Sequence, residues 1–475
     1  MNIRILEGSI RRIDLHTRMP FKYGIATMTH MPQVFVSLRC EIDGRTVEGM
    51  SSDLLPPKWF TKIPEKDPLQ EIEEMLLVIR NALTLAQGKM GPSAFDLWLE
   101  LYHAQSKWAV TQAFPPLLAH FGTSLVERAL IDAVCRGTRK PFAAALHENF
   151  FGIRLGDVHA VLTGRQPSDL LPGNPLPSVI ARHTVGLTDP LTDGDIPEAN
   201  RLSDGLPQSL EDCIRTYGLR HFKLKVNGQP ASDLARLQAI AAILERTAPS
   251  NYAFSLDGNE QFKSIESFRA FWESLQNEPS LTDFLKHLYF IEQPLHRDYA
   301  LTDAVGVALS NWPDRPPMII DESDGDITCL PRALSLGYAG TSHKNCKGAF
   351  KGIANRCLLR HREHEQPNGG WLMSGEDLCN QGPIALLQDL AVTGALGIES
   401  VERNGHHYVA GLSAYPEGVQ QLVLAAHPDL YHKTTKGWPS LTIEDGHISL
   451  KSINQAPFGN GFILTCSGFT DATRS

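Results

Sequence analysis

His221-Phe222-Lys223-Leu224-Lys225-Val226 is the stretch on which the predicted fold depends, because it has the pattern of a short strand with two lysines on one face. Side chains at alternate positions of a strand point the same way, so Lys223 and Lys225 project together. Lysine is rarely buried without a partner, and the hexapeptide alone fits an edge strand with two solvated lysines equally well. The rest of the chain decides between these interpretations.

The chain around this stretch alternates short apolar runs with helical segments. The runs predict eight strands, at 178–185, 222–226, 253–257, 288–293, 318–322, 339–344, 371–376 and 398–402. Helical segments at 234–244 and 265–275 separate the first of them, and others follow at 301–309, 330–336 and 384–396. Strand, helix and strand at this spacing form a parallel sheet with right-handed crossovers. Eight such strands predict a closed α/β barrel.

The regions before and after the barrel have a different pattern. The pattern of residues 1–150 predicts an α+β domain. Its antiparallel strands have a wide loop at 19–28 and a turn at Asp43-Gly44. Helices follow, the first beginning at Asp67-Pro68. Residues 416–475 include a predicted hairpin about Asp445-Gly446. We therefore assign 151–415 to the barrel and expect 416–475 to pack back on the first domain.

Composition limits the partners that the chain can bind. Its 475 residues carry a formal net charge of −9, which argues against nucleic acid or an anionic membrane as the main partner. No apolar run is long enough to span a membrane and no signal peptide is recognised, so we expect a cytoplasmic protein. The eight cysteines form no CxxC pair and predict reduced, packed thiols. Among them, Cys346 and Cys379 fall near the predicted site.

Ionisable side chains stand at the carboxyl ends of six predicted strands, where the active site of such a barrel lies. They are Lys225, Asp257, Glu292, Asp321, Lys344 and Glu376. The three acids at 257, 292 and 321 follow consecutive strands, and their like charges repel unless a cation lies between them. Oxygen ligands select Mg2+, or Mn2+. Each acid taken singly is also compatible with capping a helix.

Two assignments within this set follow from position. Of two adjacent acids we assign Asp321 to the metal and expect Glu322 to point outward or to support the ligands. Lys223 and Lys225 on the second strand lie opposite Lys344 on the sixth, so a substrate between them has an amine on each face. A neighbouring cation and a second lysine lower the pKa of a lysine and make it a usable base. We therefore assign Lys225 and Lys344 to proton transfer, and Lys223 to charge stabilisation beside the metal.

These residues resemble the motifs of the enolase superfamily. The matching motifs are Lys223-x-Lys225, Asp257-Gly-Asn259, Phe290-Ile-Glu-Gln-Pro294, Asp321-Glu-Ser323 and the later Lys344. The lysine pairing resembles the muconate lactonizing enzyme subgroup of the mandelate racemase/muconate lactonizing enzyme family. The resemblance covers nearly the whole chain and implies a modified TIM barrel, (β/α)7β, under an α+β capping domain built from both termini.

The same resemblance implies a reaction and a substrate class. Mg2+ on Asp257, Glu292 and Asp321 would hold a small-molecule carboxylate, and a lysine would remove its α-proton to give an enediolate. Segments 20–28, with Phe21 and Tyr23, and 51–59 would cover the site and select the substrate. We favour a racemase or epimerase, with a lyase (dehydratase) or cycloisomerase as the alternative. A Schiff-base aldolase and a non-catalytic metal-binding barrel remain open, and a homo-oligomer is favoured.

The chain also departs from the family pattern. Lys347-Gly348-Ala349 replaces the Gly-Gly that follows the strand-six lysine, so Lys347 competes with Lys344 for the catalytic role. Ser374-Gly-Glu376-Asp377 stands where mandelate racemases carry a His-x-Asp dyad. Glu402-Arg403-Asn404 replaces the Asp-x-Asp that holds the ammonium group in dipeptide epimerases, which argues against an amino-acid or dipeptide substrate. The nearby His406 and His407 are expected to be surface or packed residues.

Overall fold

Three long antiparallel strands open the chain in a computed structural model that describes residues 1–473. They are β1 (Ile3–Tyr23), β2 (Ala26–Ile42) and β3 (Arg45–Leu54), and the short β4 (Met90–Gly91) pairs with β1. Positive φ angles of 48° at Asp43 and 79° at Gly44 form the tight turn between β2 and β3, as the Asp-Gly signal predicts. Helices α1 (Pro68–Ala86), α2 (Ala94–Thr111), α3 (Pro116–Thr138) and α4 (Phe142–His147) follow.

The prediction of a wide loop at 19–28 is wrong. Strands β1 and β2 instead continue past a register shift between His16 and Phe21 and pair again up to Tyr23 and Ala26. This extension, which we call the ribbon (residues 19–28), is therefore an ordered hairpin tip. Its residues alternate between buried and less buried positions, with Phe21 and Tyr23 both buried on one face.

Eight parallel strands form a closed barrel, which confirms the predicted fold. They are β5 (Ser178–Val185), β6 (His221–Lys225), β7 (Ala253–Asp257), β8 (Leu288–Glu292), β9 (Met318–Ile320), β10 (Gly340–His343), β11 (Leu372–Gly375) and β12 (Ser400–Arg403). Each strand pairs with the next, and β12 pairs with β5 to close the ring. Helices connect every consecutive pair, so the barrel has the (β/α)7β order.

The connecting helices are α5 (Leu210–Tyr217), α6 (Pro230–Thr247), α7 (Ile265–Gln276), α8 (Arg297–Ala300), α9 (Asp303–Ser310), α10 (Cys329–Leu336), α11 (Ala349–Glu365) and α12 (Ala385–Leu396). Of these, α5, α8 and α11 were not predicted, and α11 is the longest of the three. Its residues include several charged side chains and Gly352, and they carry no clear apolar stripe. It is nevertheless buried over its first three turns, between the barrel and the N-terminal helices.

The last part of the chain touches both the barrel and the first sheet. It contains α13 (Gly405–Tyr408), α14 (Glu417–Ala426), β13 (Tyr431–Lys433), β14 (Pro439–Leu441), β15 (His447–Ser449), α15 (Lys451–Gln455) and β16 (Thr470–Asp471). Strand β15 pairs with barrel strand β5, and β16 pairs with β1. The first sheet therefore includes strands from both ends of the chain.

The state of the cysteines and the character of the helices relate to two expectations from composition. All eight cysteines are free thiols, and six of them are buried. Within residues 1–473, none of the helices combines the length and the apolar character that crossing a membrane requires.

Candidate active site

The strand ends bring the predicted residues to one mouth of the barrel. Lys225 pairs with Asp257 across β6 and β7, and Asp257 pairs with Glu292 across β7 and β8. Side chains at paired positions of neighbouring strands lie side by side. Asp321 directly follows β9, so all three predicted metal ligands lie at the same end of three adjacent strands.

The Lys223 ammonium group lies at the centre of the carboxylates. Its Nζ is 2.8 Å from Glu292 Oε1, 2.6 Å from Glu376 Oε2 and 3.0 Å from Glu402 Oε2. It is also 3.0 Å from Asp257 Oδ2, and the lysine side chain is only 1% exposed. A buried ion pair persists only when its charges are matched and hydrogen-bonded. Lys223 is therefore the cation that joins acids from four strand ends.

Lys225 and Lys344 each pair with a single carboxylate, whereas Lys347 lies near two. Lys225 Nζ lies 2.5 Å from Asp257 Oδ2, and Lys344 Nζ lies 2.7 Å from Asp321 Oδ2. Lys347 donates to the second oxygen of Asp321 at 3.1 Å, so two lysines share this acid. The Lys344 ammonium group also lies 4.7 Å from the centre of the Trp59 ring, within cation–π range.

These pairings set the protonation of the site. Burial works against ionisation of Asp321, but Lys344 and Lys347 outweigh it and hold the pKa of this carboxyl well below its usual range. Burial likewise opposes the charged form of Lys344, yet Asp321 raises the pKa of the lysine. The pKa of Lys223 is also raised, against burial, by Asp257, Glu292 and its other acids. The sequence led us to expect a lowered lysine pKa, but the pKa values of Lys223 and Lys344 are raised because each lysine contacts carboxylates directly.

Glu292 gives the clearest indication that the acids fit a cation. One of its oxygens, Oε2, is buried and has no hydrogen-bond partner among the described residues. Burial and the charges of Asp257 and Glu376 raise the pKa of Glu292 well above its usual value. A hard divalent ion takes carboxylate oxygens as ligands and offsets repulsion of this kind. The donor set of Asp257, Glu292 and Asp321 therefore fits Mg2+ chemically.

The predicted supporting residues are buried around this centre. The backbone N–H of Asn259 donates to Asp257 Oδ1 at 2.8 Å, and its side-chain amide lies 3.4 Å from Glu322 Oε1. Glu322 is buried, and burial together with Asp321 raises its pKa to about 7. The Asn404 amide lies 3.4 Å from Glu402 Oε1.

Two residues inside the barrel that bind the acids of the site were not predicted from the sequence. Arg182 pairs with Glu376, and Thr184 donates to Glu402 Oε1 at 2.7 Å. Both residues lie on β5, where alternation places them on one face. The sequence predicted this strand with its observed bounds. The signal that could have identified Arg182 and Thr184 was therefore the presence of two polar residues at alternate positions of a barrel strand.

A small cavity of about 40 Å3 lies over the centre, under the ribbon. Its lining includes Lys225, Lys344, Asn404, Leu378 and Cys379, together with the aromatic residues Phe21, Tyr23 and Trp59. The Tyr23 hydroxyl donates to the carbonyl of Pro57 at 2.9 Å, and the Phe21 ring stacks on Tyr408 at 4.0 Å between centroids. The ribbon is thus attached to both the 51–59 segment and α13. Cys346 is buried but does not line the cavity.

His406 and His407 are packed in the interior, not exposed. Burial, reinforced by the neighbouring His183, lowers the pKa of both histidines well below its usual value. Neither lines the cavity.

Comparison with known proteins identifies the fold. No protein-family model and no curated protein sequence matches the chain. Solved structures do match. An N-succinyl Arg/Lys racemase from Bacillus cereus is 16% identical, with a TM-score of 0.56 over 95% of this chain and 97% of that one. A muconate lactonizing enzyme from Pseudomonas fluorescens, complexed with muconolactone, is 18% identical, with a TM-score of 0.55 over 94% of each chain. The chain has the fold of these enzymes.

A third structure with this fold contains a metal. It is an enolase from Bradyrhizobium complexed with magnesium and mandelic acid, 13% identical to this chain, with a TM-score of 0.57 over 94% of each chain. The comparisons therefore confirm the predicted barrel with its capping domain. At these identities the comparisons show the fold alone.

Proposed function

We propose that the chain is a Mg2+-dependent enzyme of the enolase superfamily that removes a proton α to a carboxylate. The observation that carries this proposal is the placement of Lys225 and Lys344 in one cavity, on strands four apart in a ring of eight, above three acids from the intervening strands. A substrate between the two lysines has an amine on each face. We favour racemisation or epimerisation because that reaction needs a proton donor opposite the base.

Asp257, Glu292 and Asp321 would hold the metal, whose positive charge would stabilise the negative charge that develops on the substrate carboxylate. The chain's own residues perform the other tasks. Lys225 and Lys344 accept and return the α-proton at their Nζ atoms. For either to act as a base, its ammonium group must lose a proton and its hydrogen bond to Asp257 or Asp321.

The ribbon supplies the apolar cover of the site. Phe21, Tyr23 and Trp59 enclose the lysines, and water excluded by these rings cannot screen the charges beneath. The substrate carboxylate would approach from this cavity and contact Lys223 at its floor. The present volume of about 40 Å3 admits little more than water, so the ribbon has to move for a substrate to enter.

The arrangement of Glu402 argues against a substrate with a free ammonium group. Its two oxygens accept from Thr184 and Lys223, and the Lys223 ammonium group already supplies this acid with a cation. This agrees with the sequence, in which the Asp-x-Asp pair of dipeptide epimerases is replaced. We therefore propose a carboxylate whose α-substituent is neutral, such as a hydroxy acid or an N-acyl amino acid.

Hydrogen–deuterium exchange at the α-carbon tests the proposal. Carboxylic acids of these classes would be incubated in D2O with Mg2+ and the enzyme, then analysed by NMR and chiral chromatography. We expect exchange with inversion in the native protein and its loss in K225A and K344A, with K263A, a substitution at an exposed lysine, as the matched control. Exchange that persists in both lysine variants would contradict the mechanism.

Product analysis in that experiment, borohydride trapping and thermal stability measurements separate the alternatives. Formation of an alkene or a lactone without inversion would identify a lyase or a cycloisomerase, in which only one lysine is the base. A borohydride-trapped adduct without a metal requirement would identify a Schiff-base aldolase. Stabilisation by Mg2+ but by no carboxylate would support a non-catalytic metal-binding barrel.

A further inference from the structure

A second group of potential metal ligands lies outside the barrel interior. It consists of His183 on β5, Cys213 on α5 and His407 on α13, all of them buried. Arg182 and Thr184 point into the barrel, where they contact Glu376 and Glu402, so His183 between them faces outward toward the helices. The three side chains therefore meet in the layer between β5 and its covering helices.

One distance within this group matches that of a tetrahedral metal site. One ligand atom from each residue lies within 4.8 Å of the others. Cys213 Sγ is 3.5 Å from His407 Nδ1. Zinc bonds of about 2.3 Å to sulfur and about 2.0 Å to nitrogen place two tetrahedral ligands about 3.5 Å apart. The thiol and the imidazole are thus already at the separation that one zinc ion requires.

A polar group lies near the second ring nitrogen of each histidine. Asp189 Oδ2 lies 3.7 Å from His407 Nε2, the ring nitrogen that faces away from Cys213. His183 Nδ1 and His406 Nε2 share a hydrogen bond at 3.0 Å. Histidines that bind metals characteristically direct their second ring nitrogen to a carboxylate or another polar partner, which fixes the tautomer.

We propose that His183, Cys213 and His407 bind one zinc ion. Two imidazoles and a thiolate suit a borderline-soft ion, whereas Mg2+ prefers oxygen, so this site and the carboxylate centre select different metals. Three protein ligands leave a fourth position for water. A cavity of about 680 Å3 lies beside the site; its lining includes Asp189 and Arg18, which contact His407, but none of the three ligands.

The position of the site assigns it a structural role. It joins β5 and α5 to α13, the short helix that follows the last barrel strand. Tyr408 of α13 stacks on Phe21 of the ribbon, and Arg18 at the base of the ribbon donates to the His407 carbonyl at 2.9 Å. A zinc ion at this point would fix the helix on which the ribbon rests.

Metal analysis of the full-length, tag-free protein tests this inference. The protein would be reconstituted with zinc in the presence of excess Mg2+, dialysed, and analysed by mass spectrometry of metals. We expect about one zinc ion per chain, its loss in C213A, and its retention in C357A, which removes another fully buried thiol. D257N is expected to retain zinc, because Asp257 belongs to the carboxylate centre.

Cobalt substitution provides a readout that does not depend on how well the variants fold. Co2+ at this site is expected to give a thiolate-to-metal charge-transfer absorption in the otherwise native protein. The absence of that band, a native protein that retains no zinc, or unchanged zinc content in C213A would each overturn the proposal.

Discussion

Lys223 shows how much one residue can contribute at this site. Four carboxylates lie within 3.0 Å of its ammonium group, whereas Lys225 contacts one. We expect K223M to lower the free energy of unfolding by about 3–5 kcal/mol, the usual cost of leaving buried charges unpaired. K225M, two positions along the same strand, should cost less. Urea denaturation in the absence of divalent ions would measure both, and equal losses would contradict the role assigned to Lys223.

Lys347 provides a second prediction at this scale. Lys347 shares Asp321 with Lys344. It stands where the motif of the family that the chain resembles has glycine. Removing its charge leaves Asp321 freer to bind a cation, so we expect K347A to bind Mg2+ several-fold more tightly, which calorimetry would measure. K351A is the matched control, because Lys351 pairs with Asp324 and not with Asp321. Loss of α-proton exchange with unchanged Mg2+ affinity would instead identify Lys347 as the proton-transfer group.

Sequence alone predicted which residues meet at the site but not how they pair. Spacing of one βα unit is enough to place Asp257, Glu292 and Asp321 at one mouth, because strand ends of a closed barrel converge. Pairing depends on long side chains that reach any of several acids, and the sequence contains no signal for that choice. For this reason Lys223 was predicted as a neighbouring charge, whereas the structure makes it the common partner of four acids.

At the scale of elements, the barrel strands were predicted well, whereas the ribbon and the helices α5, α8 and α11 were not. Barrel strands have apolar runs bounded by polar ends, and β5 and β7 were predicted with their observed bounds. The ribbon was taken for a loop because Pro20 and Gly24 are typical of turns. Helix α11 was missed because buried polar residues such as Lys351 and Asn355 interrupt its apolar stripe. Tertiary contacts satisfy those residues, and a single sequence does not show them.

The junction between α3 and α11 gives a prediction about pH. Glu127 of α3 accepts a hydrogen bond from the backbone N–H of Phe350, in the first turn of α11. Burial raises the pKa of this carboxyl from 4.5 to about 8. The unfolded chain therefore loses this proton near pH 4.5, while the folded protein keeps it until about pH 8. Between these values the unfolded state binds fewer protons, so stability falls as the pH rises.

Replacing Glu127 by glutamine tests this effect, because the amide imitates the protonated acid. Wild-type protein is expected to lose roughly 4 kcal/mol of stability between pH 4.5 and 8 through this group, and E127Q should lack that component. Urea unfolding at a series of pH values would measure the difference. E148Q, at a partly exposed glutamate beyond the same helix, is the control and should leave the pH profile unchanged. Parallel profiles for wild type and E127Q would contradict the assignment.

For the whole molecule, the C-terminal segment connects the parts that the sequence assigned to separate domains. Strand β15 pairs with the barrel and β16 pairs with the first sheet, while Arg136 of α3 donates to the carbonyls of Asn460 and Phe462. Packing of 416–475 on the first domain was expected from the sequence, but the pairing of β15 with the barrel was not, because a strand's local pattern does not identify its distant partner. The segment from β15 to β16 therefore connects the barrel to the capping domain.

Truncation after residue 460 tests that role. It removes β16 and the buried side chains of Phe462 and Leu464, and burial of each such side chain contributes about 1.5–3 kcal/mol. We expect a lower melting temperature and faster amide exchange at Arg11 and Arg12, which pair with β16. I463A is the control within the same segment, because Ile463 is 71% exposed and its loss should change little. An unchanged melting temperature in the truncated protein would show that the sheet and the barrel hold together without the tail.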